Sequence, residues 1–173
     1  MVGRTRRIAI ASLFGIIIFS VRGFIPAPSA DFLIGFESFL LALTVIIVGR
    51  FGATYVEFVN GLILTPVKLS FAPFSLLLAL LFGIQIDILS ILLRPKVGPE
   101  VRTGRIVAIM TISTATTGLI SYYATAILTS IVPNNPVLNI TILVYGVVSG
   151  AVGGYLAVKV WKRNLRARFQ SQS

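Results

Sequence analysis

Six apolar stretches, separated by short polar or helix-breaking connections, leave this chain few ways to fold. They run over about 8–25, 32–48, 53–65, 71–93, 106–132 and 137–161. A helix needs about 20 mainly apolar residues to cross the hydrocarbon layer of a membrane. Five of the stretches approach or exceed that length, and the third is short. The breaks carry their own signals: Pro26-Ala27-Pro28 after the first, Gly49-Arg50-Phe51-Gly52 after the second, Pro66 and Lys68 after the third. Arg94-Pro95-Lys96 follows the fourth and Pro133-Asn134-Asn135-Pro136 the fifth. The pattern predicts an all-α integral membrane protein, a compact bundle of six transmembrane helices in a single domain, 1–173.

Composition points the same way. Hydrophobic residues make up 56% of the chain and charged residues 12%, about half the usual share for a soluble domain. A water-soluble globule of this size could not bury so much apolar surface. The opening Arg4-Thr5-Arg6-Arg7 followed by an apolar run has the outline of a signal peptide. No small-x-small cleavage site follows before Arg22, so the run reads as a retained helix.

Charge orients the bundle. The chain carries 15 Lys and Arg against 5 Asp and Glu. With both termini in the cytoplasm, thirteen of the fifteen cations fall on the cytoplasmic side; only Arg22 and Lys68 lie outside. Omitting the short third helix would put the basic Arg94–Arg105 connection and the basic tail on the wrong side, so it is retained. The same distribution argues against nucleic-acid binding, because the cations sit at helix ends and not along one polar face interleaved with aromatics. The localisation expected is the plasma membrane, with lipid as the surrounding partner.

Several chemistries are excluded by residue type. Cys and His are absent, which removes disulfides, thiol nucleophiles, histidine bases and Cys/His zinc sites. No Walker A, HExxH or GxSxG sequence is present. Neither a metal nor another cofactor is expected, nor an enzyme activity; Glu57 and Asp87 have no nucleophile or metal motif beside them. Any uphill transport would draw its energy from a partner or an ion gradient.

What remains are small-residue stripes and intramembrane acids. Gly146, Gly150 and Gly154 recur every fourth residue in the sixth helix, widened by Ser149 and Gly153; they read as packing positions, with partner docking as the alternative. Ala11 and Gly15 make a second such pair in the first helix. Ionisable groups in hydrocarbon are costly and mark candidate sites. By depth along its own helix, Glu37 lies in the outer half, where Arg22 and Lys68 are its expected partners. Glu57 and Asp87 read as inner, to be neutralised by Arg50 and Arg94. Ser20, Arg22, Asp31, Glu37, Lys68, Phe71, Phe74, Tyr122, Tyr123 and Asn139 share the outer level and form the expected substrate site.

The segment Arg6-Arg7-Ile8-Ala9-Ile10-Ala11-Ser12-Leu13-Phe14-Gly15, and the fourth stretch with Phe82-Gly83 followed by Asp87, resemble the first and fourth helices of the substrate-binding (S) components of energy-coupling-factor transporters. The topology is similar along the whole chain. In that family an Ala-xxx-Ala motif of the first helix contacts the transmembrane coupling subunit; here it reads Ala11-xxx-Gly15. The resemblance implies a subunit that binds a vitamin-like micronutrient near the outer face, under the loop after helix one. It also implies docking on a coupling subunit driven by two ATP-hydrolysing subunits, and release of the cargo by toppling. The alternative is a non-transport scaffold or assembly subunit that uses the glycine stripe of the sixth helix. The residues alone leave the substrate open. Asp31 and Glu37 suit a cation, and Arg22 and Lys68 suit a carboxylate or phosphate.

Overall fold

The structure is a computed structural model and describes residues 4–24, 33–67, 72–95, 100–128 and 135–165. Among these residues there are six α-helices and no strands. They are α1 (Arg4–Phe24), α2 (Ile34–Ile47), α3 (Gly52–Val67), α4 (Ala72–Leu93), α5 (Thr103–Leu128) and α6 (Pro136–Val160); one π-helical turn, Trp161–Leu165, extends α6. The six apolar stretches are these six helices. α1 starts earlier than its apolar stretch because Arg4 to Arg7 continue the helix, as long basic side chains readily do. Four helices, α1, α4, α5 and α6, are long and apolar enough to cross a membrane. α2 has 14 residues and α3 has 16, about 21 and 24 Å at the α-helical rise, against a hydrocarbon layer of about 30 Å.

Contacts fix the topology. Gly61 faces Leu76 and Ala79 while Gly83 faces Ala53 and Thr54, so α3 and α4 run antiparallel. Gly146 meets Ala115, Gly150 meets Met110 and Gly154 meets Val107, so α5 and α6 do the same. α1 lies parallel to α3, with Ser12 hydrogen-bonded to Tyr55 and Gly15 against Val56. α2 is the central helix, touching α1, α3, α5 and α6. All its residues from Leu40 to Ile47 are buried, as expected for a helix that is apolar all round. Arg50, Arg94, Arg102, Arg105, Lys159, Lys162 and Arg163 gather at the end of the bundle that also holds the start of α1; we call it the basic end.

Glycine sets the helix spacing. A Cβ at Gly150 would lie 2.6 Å from the Met110 carbonyl oxygen, one at Gly146 2.9 Å from Ala115 Cα, and one at Gly153 2.7 Å from the Gly35 carbonyl. These are backbone contacts that no rotamer change relieves. The stripe Gly146, Gly150 and Gly154 is therefore spent on α5, with Gly153 on α2. Ala11 and Gly15 are also buried, and a Cβ at Gly15 would meet the Val56 carbonyl at 2.8 Å. The close approach that Gly15 permits is made to α3.

Polar ties close the helix ends. Asp87 Oδ2 on α4 accepts from the Thr54 amide at 2.8 Å and the Thr54 hydroxyl at 2.6 Å. It thereby satisfies an N–H in the first turn of α3, where no intrahelical acceptor exists, and its charge suits the positive helix end. This corrects the pairing with Arg94 expected from depth. Arg105 instead caps the other end of α4, donating to the Leu93 and Arg94 carbonyls at 2.7 and 2.8 Å. Arg94 itself is left-handed (φ 43°) and stands before Pro95, a stop that ends α4. Gly150→Leu should destabilise the protein by about 3 kcal/mol or more, because overpacking against backbone has no side-chain escape. Gly104→Leu, at a helical position with nothing within 4 Å, should cost less than about 1 kcal/mol; thermal unfolding in detergent compares the two.

Candidate functional site: a buried charged centre between three helices

The one salt bridge among the described residues joins Arg22, near the end of α1, to Glu37, on the first turn of α2. Arg22 Nη1 lies 2.8 Å from Glu37 Oε1 and 3.1 Å from Oε2. Glu37 is 3% exposed and Arg22 32%. The pairing of these two residues expected from sequence is thus present, and it is partly buried, where an ion pair is strongly coupled.

Glu57 completes the centre. It is fully buried on α3, with both Glu37 and Arg22 close enough to act on it electrostatically. Asn60, one turn on and equally buried, donates from Nδ2 to Glu57 Oε2 at 3.0 Å. The expected partner of Glu57, Arg50, lies elsewhere: Arg50 is exposed in the turn between α2 and α3. The depth of Glu57 along its own helix was misleading because the short α2 brings Glu37 inward to meet it, and because the flexible Arg22 side chain reaches down from the end of α1. The spacing Glu57-x-x-Asn60 was the available signal, since residues three apart share a helix face.

Charge bookkeeping defines what the centre can do. One guanidinium balances one carboxylate, and two carboxyl groups share it. Two acceptor atoms, Glu57 Oε1 and Asn60 Oδ1, are buried with no hydrogen-bond partner. Buried acceptors without donors are costly. Both would be satisfied by N–H or O–H donors. The arrangement therefore suits a donor-bearing group.

The other expected site residues divide into three groups. Asp31, Lys68 and Phe71 lie outside the described residues. Ser20 is exposed and its hydroxyl donates to the Ile16 carbonyl of its own helix at 2.8 Å; Phe74 and Tyr123 are also exposed. Tyr122 is buried, stacks edge-on with Tyr123 at 5.5 Å, and its hydroxyl accepts from the Asn135 amide at 3.0 Å. It ties α5 to the start of α6. Asn139 is half-buried one turn into α6, with Oδ1 lacking a partner. Of the expected outer cluster, the structure joins Arg22 to Glu37, between α1 and α2, and Tyr122 to Tyr123, within α5.

Arg22→Met should destabilise the protein by about 3–5 kcal/mol, because it strands buried carboxyl groups without their cation. Glu57→Gln keeps shape and supplies a donor toward Glu37, so its cost should stay within about 1 kcal/mol. Thermal melting of both variants in one detergent tests the contrast. Comparison with family models, with curated proteins and with solved structures finds no match to this chain.

Proposed function

We propose that the chain is the substrate-binding membrane subunit of an importer of the energy-coupling-factor type. In this reading it crosses the plasma membrane six times, with the basic end in the cytoplasm, and takes up a small vitamin-like micronutrient from the opposite side. The observation that carries the reading is the centre formed by Arg22, Glu37, Glu57 and Asn60. Glu57 Oε1 and Asn60 Oδ1, one turn apart on α3 and beside the Arg22–Glu37 pair, are buried acceptors without partners, a cost that a binding role would explain. Arg22 is the member of the centre that reaches the surface, so it marks the side of entry.

The chemistry narrows the substrate. Arg22 is engaged by Glu37, which leaves acceptors and not donors unsatisfied. A solute bearing amine, amidine or aminopyrimidine N–H groups fits better than a carboxylate or phosphate. The sequence holds no ATP-binding motif, so a coupling subunit and its ATPases supply the energy. Gly15 is occupied by α3 and Ala11 is buried within the bundle; the strip of α1 left for docking is the exposed one containing Ala9, Leu13 and Ile16. The scaffold reading loses its interface, because the glycines of α6 are consumed by α5 and α2.

A panel of vitamins and their precursors, tested for thermal stabilisation of the purified protein, is the direct experiment. At least one N–H-rich compound should stabilise the wild type, and Glu57→Gln should abolish the effect while melting close to the unliganded wild type. If no compound stabilises the protein, or if stabilisation survives Glu57→Gln, the reading fails.

A further inference from the structure

Two clefts lie along one side of α6, and their chemistry changes in order from apolar to cationic. The first is lined by Ile140, Thr141, Val144, Tyr145 and Val148. The second, about 390 Å³ in volume, lies at the basic end and is lined by Thr103, Tyr155, Val158, Lys159, Lys162 and Arg163. Residues 141, 145, 148, 152, 155, 159 and 162 recur at intervals of three and four, which is one side of a helix. Val152 and Tyr155, between the clefts, are each about half exposed. From Val148 to Lys162 the path is roughly 20 Å at the helical rise.

The cationic cleft is built from two helices. Lys162 Nζ crosses to α5 and donates to Thr103 Oγ1 at 3.0 Å. Thr103 opens α5, whose first-turn amides carry the partial positive charge of a helix N-terminus. None of Lys159, Lys162 and Arg163 is ion-paired with a described carboxylate. Gly104, beside Thr103, has open space around it, so an anion can approach the turn. Three uncompensated cations above an apolar groove match one kind of molecule: a chain of hydrocarbon ending in a negatively charged headgroup.

We propose that this side of α6 holds an anionic phospholipid. Its phosphate sits among Lys159, Lys162, Arg163 and Thr103, and an acyl chain follows Tyr155 and Val152 into the groove at Val148 and Val144. A zwitterionic lipid brings its own cation to the cleft and is held less well. The site is separate from the centre at Arg22 and needs only that the bundle be embedded in a membrane.

Native mass spectrometry of the full-length protein, titrated with phosphatidylglycerol or phosphatidylcholine, tests this. One phosphatidylglycerol should bind at least tenfold more tightly than phosphatidylcholine. Combined Lys159→Gln, Lys162→Gln and Arg163→Gln should remove that preference, whereas Arg50→Gln, at the same end but outside the cleft, should leave it intact. Val148→Trp, which fills the groove and keeps every charge, should weaken phosphatidylglycerol binding severalfold. Equal binding of the two lipids, a preference that survives the triple variant, or an equal loss with Arg50→Gln would overturn the proposal. So would displacement of the lipid by an equimolar amount of inorganic phosphate, which would mark a free-anion site.

Discussion

The contact of Gly15 with the backbone of Val56 is the constraint on which the charged centre depends. In lipid there is little hydrophobic drive between helices, so close backbone approach and dispersion set which helices touch. Gly15 brings α1 against α3 at a distance that no side chain allows. Two turns further along α1 stands Arg22, and the next residue of α3 is Glu57. The parallel course of the two helices thus carries a cation toward an acid that has no cation on its own helix. Gly83 plays the same part for the second acid. It lets α4 approach Ala53 and Thr54, and one turn later Asp87 meets the first turn of α3.

The two acids nevertheless end differently. Asp87 receives two hydrogen bonds through one oxygen and serves a helix end, so its charge answers a backbone need. Arg105 answers the corresponding need at the end of α4. Gln85 links α4 to α5 by accepting from Thr116 and Thr117, and Ser38 meets Thr114 between α2 and α5. Gln85 with its two threonines, and Ser38 with Thr114, offset each other's cost in an apolar interior. Glu57 and Asn60 satisfy only half of their capacity within the protein. Asp87 Oδ1 is likewise without a partner; what sets Glu57 apart is its company, a second carboxyl and a guanidinium in place of a helix end.

Much of this was legible in the sequence, and the rest was hidden for identifiable reasons. Helix-breaking residues and apolar length gave all six helices, because both are local properties of the chain. The pair Arg22 and Glu37 was legible because both sit near helix ends that face the same way. Glu57 was not, because depth along α3 does not name its partners, which are determined by which helix lies beside it and by the reach of a long arginine. Small residues at positions 11 and 15 announced a close approach without naming the neighbour. Tyr122 looked like part of a pocket wall; its hydroxyl is instead used to hold Asn135, a contact across a connection that no periodicity reveals.

A double-mutant cycle between Arg22 and Glu57 tests the shared centre most directly. Stability would be measured for Arg22→Met, Glu57→Gln and the combined variant. Residues in one buried network couple by about 0.5–3 kcal/mol, and a value toward the upper part of that range is expected here. Additive effects, with no coupling between the two positions, would contradict the placement of Glu57 in the Arg22–Glu37 centre.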